Sequence, residues 1–160
     1  MALYCNGKKV VNSLVIDGKI ETSQSLVNNC RIGVTATNKA LSPVDANNYI
    51  EVSGTTVTLK RNNANYHLWV YTPVVLETGK IYAIVFDSIS GSDNNFYMEK
   101  TSDISVNPIV ASRFDTVGHT SSVISGVVIK PNTNAYYGIA IWSQSTSDIV
   151  LNNPRLIEIK

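Results

Sequence analysis

The chain has 160 residues, 13 of them Lys or Arg and 12 Asp or Glu, for a net charge of +1, and 44% are hydrophobic. That length predicts one domain whose core holds without disulfide staples. The near-neutral charge, with no basic run, excludes the footprint of a nucleic-acid binder, and no apolar stretch approaches the roughly 18 residues of a membrane helix.

Val, Ile and Thr number 19, 16 and 13, against 9 each of Leu and Ala. Branching at Cβ restricts χ1 and suits a pleated surface, so the balance predicts an all-β protein. Asn and Ser number 17 each, and Asn pairs such as Asn28-Asn29, Asn62-Asn63 and Asn152-Asn153 mark turn tips, where Asn tolerates left-handed backbone. The start, MALYCNGKKVV, lacks an apolar segment behind a basic head, so no secretory signal is read there. Cys5 and Cys30 could pair in principle, but a chain kept in a reducing cytosol would leave them as free, buried thiols, and no His or second Cys lies nearby at metal-ligand spacing. No cofactor and no metal is expected.

In chain order, Asn6-Gly7 and Asp17-Gly18 are hairpin signals, because a type I′ turn needs positive φ at its two central residues. They predict a meander over 3–21. Residues 22–29 read as polar loop, 31–35 as a short strand, and 36–48 as a loop containing Pro43. Strands at 49–52 and 56–60 flank Ser53-Gly54-Thr55, a further hairpin, and 66–71 is a strand closed by Thr72-Pro73. The stretch PVVLETGKIYAIVFD (73–87) sets a polar turn, Glu77-Thr78-Gly79-Lys80, before a strand with Ile81, Ala83 and Val85 on one side and Tyr82, Ile84 and Phe86 on the other. A strand apolar on both faces belongs in a sheet covered twice or at an interface, and the turn is expected to fix the register of its partner. Residues 88–95 read as polar loop. Strands are then expected near 96–100, 104–106, 109–114, 123–129, 136–142, 148–151 and 155–159. Many short strands at this spacing predict a sandwich or a closed barrel.

No catalytic residue is assigned. Gly118-His119-Thr120-Ser121-Ser122 sets an imidazole beside hydroxyls, but a triad also needs an orienting group, and a polar loop is the stronger reading. Glu51, Glu77, Asp87 and Glu99 are spread among strands and turns, whereas glycosidase chemistry needs two facing carboxylates. GxSxG, HExxH, P-loop and CxxC patterns do not occur. Asp87 and Ser88 to Asn95 offer oxygen donors of the kind calcium takes, but without the EF-hand spacing, so a solvated turn is preferred.

The aromatics are more informative. Alternation puts His67, Trp69 and Tyr71 on one face of a strand and Tyr66, Leu68 and Val70 on the other. The first set suits either a stacking platform for sugar rings or a buried interface. Tyr136, Gly138, Ala140 and Trp142 share a face of a second strand, where the small residues leave space for a neighbouring side chain or a ligand. The candidate ligand-binding residues are therefore His67, Trp69, Tyr71 and Trp142.

The proline lead-in, the Gly79-Lys80 turn and Tyr82 and Phe86 beyond it resemble the central hairpin of carbohydrate-binding-module-like jelly rolls. These are the galactose-binding-like sandwiches frequent in tailed-bacteriophage virion proteins. Residues 123–142, with Pro131-Asn132-Thr133-Asn134 leading into Tyr136-Tyr137-Gly138-Ile139-Ala140-Ile141-Trp142, are similar to their penultimate strand pair, and Ile149 to Leu156 to their last strand. The family's closing segment carries an Asp-Asn pair and an acidic stretch. This chain has Asn152-Asn153-Pro154-Arg155 there, which speaks against a bound calcium or sugar at that place.

The resemblance covers 49–160 and implies a jelly-roll β-sandwich there. Residues 1–48 are then a β-meander and linker, expected to serve as an attachment segment. The function implied is that of a non-enzymatic virion structural protein, a capsid-decoration or tail-fibre module made in the host cytoplasm. The partners expected are a second copy of the chain, as a homo-oligomer such as a trimer, and other virion proteins. The alternative is a carbohydrate-binding module that recognises host-surface glycans through Trp69, Tyr71 and Trp142.

Overall fold

The computed structural model describes residues 23–34, 44–92, 96–102, 104 and 125–159 in full, and the backbone alone of 3–5, 8–10, 15–16, 19–20, 95 and 112–119. Two antiparallel ribbons come first, β1 (Leu3–Cys5) with β2 (Lys8–Val10) and β3 (Val15–Ile16) with β4 (Lys19–Ile20). Cys5 pairs with Lys8 and Ile16 with Lys19, so two residues close each hairpin, as Asn-Gly and Asp-Gly predict. Those turn residues lie outside the described residues.

Next come β5 (Ser23–Ser25), a 3-10 turn at Val27–Asn29 and β6 (Cys30–Val34). β7 (Tyr49–Ser53) and β8 (Thr56–Lys60) make the expected hairpin around Gly54, whose φ of 59° suits a residue without Cβ. Then follow β9 (Tyr66–Tyr71), β10 (Ile81–Val85), β11 (Ser88–Ser90), β12 (Asn95–Thr101) and β13 (Ser112–His119). β14 (Gly126–Ile129), β15 (Tyr136–Trp142), β16 (Ile149–Asn152) and β17 (Arg155–Ile159) end the chain.

These strands form a five-stranded sheet, β13-β12-β15-β9-β6, and two four-stranded sheets, β14-β10-β17-β5 and β11-β16-β8-β7. One core lies between them. Leu68 and Val70 of β9 and Ile139 and Ile141 of β15 meet Leu59 of β8, Ile84 of β10, Leu151 of β16 and Leu156 of β17. Burying side chains of this size stabilises by about 1.5–3 kcal/mol each, and period-2 alternation delivers every second residue to that side. The result is the all-β sandwich that the β-branched composition predicts.

Four expectations need correction. The first concerns the boundary at residue 48. β5 pairs with β17 and β6 with β9, and Leu26, Ile32 and Val34 are in the core, so the sandwich takes in residues 23–34. The second concerns residues 73–87. The Glu77-to-Lys80 turn does not hold a hairpin partner for β10, which pairs with β14 and β17. Upstream of that turn Leu76 makes an isolated bridge to Ala135, and Pro73 has no amide hydrogen to add to a ladder.

The third correction is that 88–95 is not all loop: Ser88 to Ser90 pair with β16, with Ile89 buried between two exposed serines. The fourth is that the strand read at 109–114 runs from Ser112 to His119 against β12, so His119 ends a strand. Ile104 sits in a bend, and 105–111 lie outside the described residues. The doubly apolar β10 does serve two clusters. Tyr82 and Ile84 enter the main core, while Ala83 and Val85 join Ile157 in a second one on the other face.

Candidate functional site

Alternation that sends Leu68 and Val70 inward sends His67, Trp69 and Tyr71 to the outer face of the five-stranded sheet. Strand register lays these residues in rows across the sheet. Tyr71 is opposite Gly138, which is opposite Glu99; Trp69 is opposite Ala140, which is opposite Tyr97. Because Gly138 has no side chain, the Glu99 carboxylate and the Tyr71 phenol approach each other across it. Trp142 closes the group: its ring centroid is 6.1 Å from that of His67 and 6.3 Å from that of Tyr97, both edge-on. Trp69 and Tyr71 lie 5.7 Å apart and tilted. Such edge and tilted contacts match the quadrupoles of aromatic rings.

The two inner rings lie down on the sheet. A Cβ placed on Gly33 would fall within the Trp69 indole, and one placed on Gly138 would fall 2.6 Å from Tyr71 Cδ1. The space that Gly138 and Ala140 leave is thus filled by Tyr71 and Trp69. His67 and Trp69 are 2% exposed and Tyr71 and Glu99 1%. All four candidate residues therefore come together on one face, but Trp69 and Tyr71 do not form an open platform. They are flattened onto glycines, and Tyr97 and Ile104 pack over them. Trp142 and Tyr97 are half-buried, as is Tyr136 at the other end of β15. Sequence reading missed Tyr97, although Phe96-Tyr97-Met98-Glu99 carries the signal. Phe96 and Met98 go to the core, which sends Tyr97 and Glu99 to the outer face.

Burial pushes the Tyr71 phenol far above its ordinary value, and the Glu99 carboxylate adds to the rise, so the hydroxyl stays a neutral donor. The Trp69 Nε1–H and the Tyr71 hydroxyl are buried with no hydrogen-bond partner among the described residues. On β6, Arg31 is opposite Trp69 in register and donates Nη1 to the carbonyls of Asn28 and Cys30, each at 2.9 Å.

Other sequence candidates lie elsewhere. The Asp87 carboxylate accepts from Arg155 Nη2 and Asn153 Nδ2, each at 2.9 Å, which occupies the oxygens that calcium would need. Among the described residues no three His, Cys, Asp or Glu side chains are grouped to hold a metal ion. Cys30 is a buried free thiol pushed up to about 12 by burial, which leaves it unreactive. The side chains of Cys5 and His119 lie outside the described residues.

Antiparallel sheets closed over one core, with an aromatic outer face, define a β-sandwich of the jelly-roll class. No known protein family matches the chain by sequence, and no curated protein matches it. Among solved structures it is similar to CBM86, described as a low-affinity xylan-binding module of the gut symbiont Roseburia intestinalis. The TM-score is 0.50 at 12% identity, over 89% of this chain and 97% of that one. A second is the CBM22-1–GH10 portion of Clostridium thermocellum xylanase 10B, at a TM-score of 0.48 and 8% identity. It covers 85% of this chain and 27% of that longer one. A third, a CBM4 structure, has a TM-score of 0.42 at 10% identity, over 82% of this chain and 96% of that one. At 12% identity the likeness to CBM86 shows the fold alone.

Proposed function

We propose that this chain is a non-catalytic carbohydrate-binding module that holds a polysaccharide against the outer face of its five-stranded sheet. The observation that carries this reading is the pair of half-buried rings, Trp142 and Tyr97, meeting edge to face above a floor of Trp69, Tyr71 and Glu99. Aromatic faces accept the C–H side of a sugar ring, while a few fixed polar groups take its hydroxyls, the usual division of labour in a small-ligand site. The xylan-binding description of CBM86, which shares the fold, makes xylan the first polysaccharide to try.

No finding places the chain on a virion or favours a trimer. The capsid or tail role expected from the sequence is set aside for its alternative, glycan recognition. Native gel electrophoresis through soluble xylan, mixed-linkage β-glucan and galactomannan tests the proposal. Retardation by at least one polymer, reversed in Trp142→Ala, is the expected result. Unretarded migration in all of them sinks the proposal.

A further inference from the structure

Two features of the aromatic face do not fit each other. Its floor holds two hydrogen-bond donors, Trp69 Nε1–H and the Tyr71 hydroxyl, that are buried and have no partner among the described residues. Over that floor sits Ile104, a half-buried aliphatic side chain packed against Trp69, Tyr71 and Ala140. A branched hydrocarbon packed on these rings offers their donors nothing to bond to. Leaving donors unsatisfied is a standing penalty, and buried polar groups are ordinarily paired. The floor is chemically matched to a ligand rich in hydroxyl oxygens, and its present cover is not.

We propose that Ile104 is a displaceable plug over a hydroxyl-reading subsite. A sugar unit would enter beside Trp142 and Tyr97, push the Ile104 side chain aside, and accept hydrogen bonds from Trp69 Nε1–H and Tyr71 O–H. The inference rests on the glycan reading above and adds to it a cost that any sugar must meet in the unmodified chain: part of each contact is spent on moving Ile104. A ligand can shift such an equilibrium only by its preference for the open form. Shortening Ile104 removes that requirement.

The test has two arms. In the first, without ligand, Trp142→Phe leaves Trp69 as the sole tryptophan. Acrylamide quenching of Trp69 fluorescence is then compared with and without Ile104→Ala. The plug predicts a rise in the quenching constant of about threefold or more. Unchanged quenching overturns it, and a near-unaltered unfolding midpoint certifies that the rise is local.

The second arm measures affinity for soluble xylan, mixed-linkage β-glucan and galactomannan, with Ile104→Ala in the otherwise unaltered chain. About fivefold tighter binding is expected, because the sugar no longer spends contact energy on moving Ile104. Equal binding by both forms removes the subsite and leaves the glycan reading standing. No binding by either form removes the glycan reading, and the subsite falls with it.

Discussion

The Tyr71 ring rests on the backbone of Gly138, so closely that a Cβ at 138 would stand 2.6 Å from Tyr71 Cδ1. The same relation holds between Trp69 and Gly33. Gly138→Ala and Gly33→Ala are each expected to destabilise the fold by about 1–3 kcal/mol, the usual result of overpacking a filled site. Thermal unfolding of the two variants checks this. An unchanged midpoint in both would mean that the rings lie elsewhere.

Tyr71→Phe should behave in the opposite sense. The hydroxyl is buried without a partner among the described residues, so removing it takes away a desolvated donor and no bond. The unfolding midpoint is expected to hold or rise, while glycan affinity falls. A clear loss of stability would show that the hydroxyl is already bonded.

Trp142→Ala and Tyr97→Ala should each weaken polysaccharide binding about tenfold or more, as removal of a central aromatic anchor does, with the fold retained. Both side chains are half-buried and lie outside the main core. Calorimetric titration against whichever polymer retards the protein gives the ratio. Full affinity in both variants would move the binding surface off this face.

Tyr137→Phe tests a different part of the sandwich. The Tyr137 ring is fully buried, and its hydroxyl accepts from the backbone N–H of Asn132 and Thr133 at 3.2 and 3.3 Å. It lies 3.0 Å from both the Thr133 carbonyl and Asn132 Oδ1, to one of which it donates. Deleting it removes those bonds from an exposed loop, at about 0.5–1.5 kcal/mol. The measured quantity is the urea midpoint, and a shift within error would contradict the network.

The Asp45 turn carries a pH signature. Its carboxylate accepts from the Asn47 amide at 2.7 Å and from the Asn48 amide and side chain, each at 2.9 Å. These bonds, the Asn47 amide foremost, hold the group below its ordinary 3.8. A lowered folded value means stability present above the unfolded value and lost as pH falls through the folded one. The gap in unfolding midpoint between the parent and Asp45→Ala should therefore be constant near pH 6–7 and shrink below about pH 4. A gap that persists at pH 2 would exclude the carboxylate as its source.

Strand class and most strand positions could be read from the chain because period-2 patterning and turn residues are local signals. The hairpin around Gly54 and the outward set His67, Trp69 and Tyr71 follow from nothing more. Strand partnership was not legible. The Glu77-to-Lys80 turn looks like a hairpin closure, yet β10 finds its partners at 126–129 and 155–159, through long-range packing that no local window contains. Ser23-Gln24-Ser25 carries no apolar signal at all, and it is a strand only because β17 offers it an edge. For the site, alternation put His67, Trp69 and Tyr71 on one face but could not tell standing rings from flattened ones. That depended on Gly33, which is distant in sequence and adjacent in space.

Strands β10 and β17 pose a problem of sidedness. Leu156 enters the main core while its neighbour Ile157 joins the second cluster, and Ile84 and Ala83 divide in the same way. A ribbon greasy on both surfaces does not itself declare which surface is inner, since a one-residue slip exchanges its faces. In β17 the declaration is made just before the strand, by Asn153 at φ 52° with its amide on the Thr55 carbonyl, and by the Leu26 amide on the carbonyl of Pro154. A single-residue deletion at that corner would leave a sheet able to pair and yet inverted, its inside worn outward.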